Sequence, residues 1–269
     1  RGYTGRMSAA LAARVAADPR VRTLAPDRVV RATSDFPAPG VSAPSAQSIP
    51  TGVARVHAPE SSTKAGNGIG YVDADIAGRD SGGDGGHPDL NVAGGTDCVP
   101  GTSSWDDERG HGTNIAGIAA AKDNDFGVVG VAPGARIWAV RVLDAAGDGS
   151  LATLSCGIDW VTAHAAVIDV ANMSLIGIDP GNGGCLDGGL HQDICTSVAA
   201  GVTYTVAAGN DASDASDYSP ASYPEVISVG AIADYDGKPG GLFNSVTLPS
   251  GQVLGNPKPT GPINVPTEK

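Results

Sequence analysis

The sequence predicts an α/β fold in which a parallel sheet carries helices on both faces. Beyond residue 50, the strand-like runs "GIGYVDADIA", "ARIWAVRVL", "AAVIDVANMS", "GVTYTVAAG" and "EVISVGAIA" alternate with helix-like stretches at 112–122, 151–166 and 189–200. Near-continuous apolar strands separated by helices mark a parallel sheet buried on both sides. Length is the second observation: 269 residues, 41% of them hydrophobic, bury one sizeable core with room for a small appendage.

The appendage comes first. "SAALAARVAADPRV" predicts an amphipathic helix capped by Ser8 and stopped before Asp18, because Pro19 disfavours helical geometry in the residue ahead of it. "VRTLAPDRVVRA" follows as extended, β-branched sequence. One helix and a strand or two fold poorly alone, so residues 1–34 require the body as a template. Residues 35–50 hold four prolines and read as an exposed linker, 51–241 as the main domain, and 242–269 as a Pro/Gly-rich irregular tail.

Charge divides along the same boundary. Residues 1–34 carry seven Arg against Asp18 and Asp27, so the net −12 of the chain combines a +5 segment with a −17 body. An acidic body argues against a nucleic-acid partner, and no run reaches the ~18 apolar residues of a membrane span. A start at Arg1 without an apolar signal run implies that upstream sequence is missing. Four cysteines in a Gly-rich chain without a paired CxxC pattern imply a secreted, extracellular protein. Cys185 and Cys195 close a short disulfide loop in "CLDGGLHQDIC", whereas Cys98 and Cys156 pair either with each other or with cysteines outside the chain. His57, His87, His164 and His191 share no metal-ligand spacing and read as surface or cap residues.

Sites in open parallel sheets form at the carboxyl ends of the strands. That rule selects Asp73 or Asp80 after the first strand, Asn172 and Asn210 after later ones, and His111 at the mouth of the small-residue helix. An Asp orienting a His base, with an amide aimed at a developing oxyanion, is acyl-transfer machinery.

The motifs resemble those of the subtilisin-like serine peptidases, the subtilases. "GHGTNIAGIAAA" is similar to their histidine motif, "RDSGGDGGHPDL" to their aspartate motif, "ANMSL" to their substrate-binding strand and "VAAGN" to their oxyanion-asparagine motif, all in family order. The resemblance implies a serine endopeptidase in which Asp80, rather than Asp73, orients the base His111, and Asn210 donates to the oxyanion. It implies that Gly147, Gly149 and Leu151, with Ser174, Leu175, Ile176 and Gly177, bind an extended polypeptide substrate, Ile176 narrowing the first specificity pocket. The first segment resembles the latter part of the family's inhibitory propeptide, implying a monomeric zymogen with its own propeptide in the cleft. "KDNDFGVV" resembles a calcium loop, implying structural calcium held by Asp89 and Asn124 and the carbonyls of Lys122, Phe126 and Val128. Two departures stand out. Gly78 and Arg79 precede Asp80 where apolar residues are usual, a charge being costly there if buried. No serine motif follows Asn210: Ser103 precedes His111 in the chain, and Ser245 and Ser250 lie in the tail with no helix start. The expectation is a chain truncated before its nucleophile and inactive as it stands, the alternative being a peptide-binding pseudoprotease.

Overall fold

A computed structural model describes residues 5–33, 46–68, 71–177, 184–211 and 213–231, with the backbone of two short strands in the tail. Most of the 35–50 linker lies outside the described residues. In chain order the elements begin with α1 (Ala9–Ala16), β1 (Val29–Ala32), α2 (Thr51–Arg55), β2 (Asp75–Asp80), β3 (Asn91–Asp97) and α3 (His111–Ala120). There follow β4 (Arg136–Arg141), β5 (Asp148–Ser150), α4 (Leu151–Ala163), β6 (Val170–Met173), β7 (Leu175–Gly177) and α5 (Gly189–Ala199). Then come β8 (Thr203–Ala207), β9 (Ile227–Val229), β10 (Ser245–Thr247) and β11 (Val253–Gly255). The tail, expected to be irregular, therefore contains a pair of antiparallel strands, with β-branched Val246, Thr247 and Val253 supplying the strand preference.

Six strands form one parallel sheet in the order β3-β4-β2-β6-β8-β9. Successive side chains alternate between its faces. Ala77, Val140, Ala171, Met173, Tyr204 and Val206 pack with Leu154, Ile158 and Val161 of α4 and Ile194 of α5. Ile137, on the opposite face, packs with Ala116 and Ala120 of α3. Helices thus cover both faces. Ser150 and Thr153 exchange side-chain and backbone hydrogen bonds in a capping box at the head of α4.

The N-terminal segment lies on this body. Ser8 caps α1 as expected, its side chain accepting from the Leu11 N–H. β1 is the middle strand of a separate antiparallel sheet, β5-β1-β7, and Val30 is buried in the main core. Two disulfides, Cys98–Cys156 and Cys185–Cys195, link elements of the body. No helix among the described residues is long and apolar enough to cross a membrane.

Two polar features inside the body have energetic consequences. Arg79 is 0% exposed; its guanidinium stacks over the Tyr204 ring, and Nη1 donates to the Tyr204 hydroxyl at 3.0 Å. Its Nε and Nη2 have no hydrogen-bond partner among the described residues. An incompletely paired buried cation is worth less than an apolar side chain of similar volume. Arg79→Met is therefore expected to stabilise the fold by about 1–3 kcal/mol, since Tyr204 keeps its own bond to Ser197. Urea unfolding checks this: a lower midpoint at unchanged slope would show the guanidinium to be net favourable.

Asp107 organises the start of α3. It accepts from the Ser81 and Thr113 hydroxyls and from the N–H groups of Arg109, Gly110 and Thr113 at 2.7–3.0 Å. Burial alone would raise its pKa, but these hydrogen bonds outweigh burial and hold the carboxyl below its ordinary value. A folded-state value below the unfolded one gives stability that is present above the unfolded pKa of about 4 and lost as pH falls through the folded value. The stability difference between wild type and Asp107→Asn is accordingly expected to be largest near neutrality and to shrink as pH drops below about 4. Urea midpoints across that range test it, and a difference independent of pH would refute it.

Candidate active site

Asp80 ends β2 and His111 begins α3, so two unrelated elements must meet end to end. They do so because Gly112 has no side chain: a Cβ there would collide with the Gly82 carbonyl and lie 3.1 Å from Asp80 Cβ. The helix can then approach the strand end closely. His111 Nδ1 lies 2.6 Å from Asp80 Oδ1, with both residues buried. The Ser81 N–H donates to the same carboxylate oxygen at 2.7 Å. Burial raises the Asp80 pKa, and the His111 hydrogen bond opposes that rise without cancelling it. Ser81 also ties the turn to the helix, its hydroxyl accepting from the Gly112 N–H and donating to Asp107.

Asp73, the other candidate, stands ahead of β2 with its side chain 81% exposed and its nearest cation, Arg136, 3.5 Å away. It plays no part in the buried pair.

The expected substrate-binding positions converge on β1. Val30 registers with Gly149 on one side and Gly177 on the other, Arg31 with Ile176, and Ala32 with Leu175. Leu151 N–H donates to the Arg28 carbonyl, Ala32 N–H to Gly147 and Thr33 N–H to Ser174. Beyond the ladder, the Asn210 side-chain amide donates to the Thr33 carbonyl. Three segments distant in sequence thus hold one extended strand from both edges and cap the carbonyl at its end. Asn172, also at a strand end, is engaged internally with Ser174 and Thr205.

The loop after α3 wraps around a buried carboxylate. Asp89 is 3% exposed and has no ion pair among the described residues. Asn124 Nδ2 reaches it at 2.7 Å, and Gly127, at φ +72°, leaves space that a Cβ would fill 2.8 Å from Asp89 Oδ2. The Gln47 amide meets the Lys122 carbonyl at 2.8 Å, and Ala46 and Ser48 bridge to Phe126 and Val128. The Asp89 carboxylate is met by neutral donors, the Asn124 amide and the Val128 N–H, and its oxygens, with the carbonyls of the loop, are the hard donors that a cation such as calcium takes.

Sequence reasoning missed Gln47 and Asp107. Gln47 sits in the Pro-rich segment, 75 residues from its contact, and no local pattern announces it. Asp107, three residues ahead of Gly110, was readable as a helix-start acceptor, but it stands between Asp106 and Glu108 and only the turn geometry selects it. His191, expected at the surface or in a cap, is 8% exposed, with Glu225 paired to its Nε2 at 2.7 Å and Tyr223 stacked on its ring. Ser245 lies on β10 rather than at a helix start, and Ser250 lies outside the described residues.

Residues 74–255 match the Subtilase family. The chain is 39% identical over 186 residues to Subtilisin Savinase of Lederbergia lenta, covering 69% of this chain and 64% of that protein. It is 39% identical over 193 residues to Subtilisin E of Bacillus subtilis (strain 168), covering 70% and 47%. It is also 39% identical over 186 residues to M-protease of Shouchella clausii (strain KSM-K16), covering 69% and 46%. The chain thus spans roughly half to just under two thirds of the length of these curated relatives. With a family match over residues 74–255 and 39% identity to subtilisins over about two thirds of its length, this chain belongs to the subtilase family.

Proposed function

We propose that this chain is the zymogen form of a secreted serine endopeptidase, with residues 1–34 as an inhibitory propeptide lying in its own substrate cleft. One observation carries the reading: β1 fills the groove between β5 and β7 while the Asn210 amide donates to the Thr33 carbonyl. Strand addition gives affinity through main-chain bonds, and side-chain pockets give preference. Val30 fills an apolar pocket, and small Thr33 suits a first pocket narrowed by Ile176. By this reading the peptide bond after Thr33 is the one presented for cleavage.

The roles follow from position. Asp80 fixes the His111 ring with Nδ1 toward the carboxylate, leaving Nε2 to accept a proton from a serine hydroxyl and return it to the leaving amine. Asn210 stabilises the oxyanion that develops on the carbonyl it already touches. The nucleophile is the missing part, because residues 211–269 contain no Gly-Thr-Ser opening a helix-like run. This chain alone is therefore inactive, and that same observation favours the second reading, a peptide-binding pseudoprotease. Two disulfides support an oxidising, extracellular setting. β1 and the two strands that hold it come from one chain, which is consistent with a monomer.

Two probes test the reading. A fluorescent peptide of residues 27–33 is expected to bind a Val30→Asp chain, whose own strand is dislodged, more tightly than wild type. Absent or equal binding in both chains would overturn the cleft assignment. A serine-directed fluorophosphonate is expected to leave the wild-type chain unlabelled. Stoichiometric labelling lost in His111→Ala would reveal a nucleophile among these residues.

Calcium belongs to the same proposal, held by Asp89, Gln47 and Asn124 with the carbonyls of Lys122, Phe126 and Val128. When bound, it would neutralise the buried carboxylate and brace the loop that follows the His111 helix. Calcium is expected to raise the melting temperature more than equal magnesium does, and Asp89→Asn to abolish the difference. Equal effects of the two ions on wild type would remove the assignment.

A further inference from the structure

A second cluster of chemistry-bearing side chains lies away from the active site. Cys185, His191, Cys195 and Glu225 each bring one ligand atom to a cluster in which all four atoms lie within 4.8 Å of one another. His191 and Cys195 are four residues apart on one face of α5, Cys185 precedes that helix, and Glu225 comes from the segment before β9. The imidazole is buried and held flat against Tyr223, with ring centroids 4.1 Å apart and planes at 4°. Glu225 Oε2 meets His191 Nε2 at 2.7 Å, and its other oxygen lies 3.2 Å from Cys185 Sγ. With the two cysteines joined, that sulfur has no proton to offer the carboxylate. Freed as thiols, they turn the cluster into two sulfurs, one nitrogen and one oxygen within reach of one another.

We propose that the dithiol form of this chain binds one zinc ion through Cys185, His191, Cys195 and Glu225. A dithiol or phosphine reductant supplies two electrons, and two protons complete the thiols as the Cys185–Cys195 bond breaks; zinc then displaces both thiol protons. Two thiolates, an imidazole and a carboxylate form a tetrahedral set for this borderline-soft ion, at about 2.3 Å for sulfur and 2.0–2.1 Å for nitrogen. Calcium and magnesium, which prefer oxygen, are poor occupants. Zinc and the disulfide exclude each other. The same two cysteines therefore clip α5 in either state, and in the metal state Glu225 exchanges its hydrogen bond to His191 for a bond to the ion.

Cobalt(II) is the probe, because thiolate ligation gives it a charge-transfer absorption. A Cys98→Ser/Cys156→Ser chain, reduced with a phosphine, is expected to bind one cobalt per chain with that absorption and to release it to zinc. The oxidised chain binds none. His191→Ala and Glu225→Ala are each expected to weaken cobalt binding by at least about tenfold. Because the proposal is that the dithiol state holds metal, a reduced chain that binds none overturns it whether or not that chain is folded. Affinity unchanged in both the His191 and Glu225 variants overturns it too, by showing a bare dithiol at work. Independently, zinc is expected to slow alkylation of Cys185 and Cys195 in the reduced wild-type chain while leaving Cys98 and Cys156 exposed to the reagent. Equal alkylation of all four counts against the site.

Discussion

The contact on which the site depends is the close seating of α3 against the end of β2. A buried carboxylate and a buried imidazole are each costly to desolvate, and their 2.6 Å hydrogen bond offsets that cost only if both are held in register. The register comes from backbone as much as from the pair. Gly112 permits the approach, the Ser81 N–H anchors the carboxylate, and the Ser81 hydroxyl joins the strand turn to the helix. Asp107 closes the loop by holding Ser81, Thr113 and the first N–H groups of the helix together. A loosened member of this ring would turn the imidazole before it unfolded the sheet.

The same sheet sets the direction of the groove. β6 runs parallel beside β2 and continues through Ser174 into β7, so the strand that receives β1 is an extension of one that supports Asp80. Asn210 follows β8, the next strand over. The carbonyl-capping amide and the imidazole therefore sit at carboxyl ends of one parallel sheet, where backbone groups leave the ladder and become available to a ligand. A covalently joined occupant meets this groove at an effective concentration of order millimolar, which favours the self-bound state over a dilute competitor.

Much of this was legible in the sequence because parallel strands and amphipathic helices have strong periods. All five apolar runs contain strands of the sheet, and the three helix-like stretches correspond to α3, α4 and α5. β3 was not legible. "NVAGGTD" has neither an apolar run nor alternation, because it is an edge strand whose residues stay half-exposed and whose ladder to β4 shifts between Val92 and Gly94. The pairing of Cys98 with Cys156 was open for a related reason: nothing local joins residues 58 apart until the edge strand brings one of them beside α4. Arg79 shows the opposite case. Its cost was foreseeable from its place in a buried strand, but its refuge against Tyr204 depends on β8 and α5, which only the fold brings near.

Charge and burial divide the work of holding the N-terminal segment, and their magnitudes decide the division. The +5 segment faces a −17 body, but the ion pair between Arg31 and Asp148 leaves the two side chains 72% and 46% exposed. Such a pair contributes about 0–1 kcal/mol and fades with salt. Val30 is 1% exposed, and burying a valine stabilises by about 1.5–3 kcal/mol. The ladder on both edges of β1 adds bonds that would otherwise be made to water, each of modest net value. The charges therefore steer and orient the segment, while Val30 and the two-sided ladder hold it. Salt should loosen the encounter more than the docked state, and a substitution at Val30 should do the reverse.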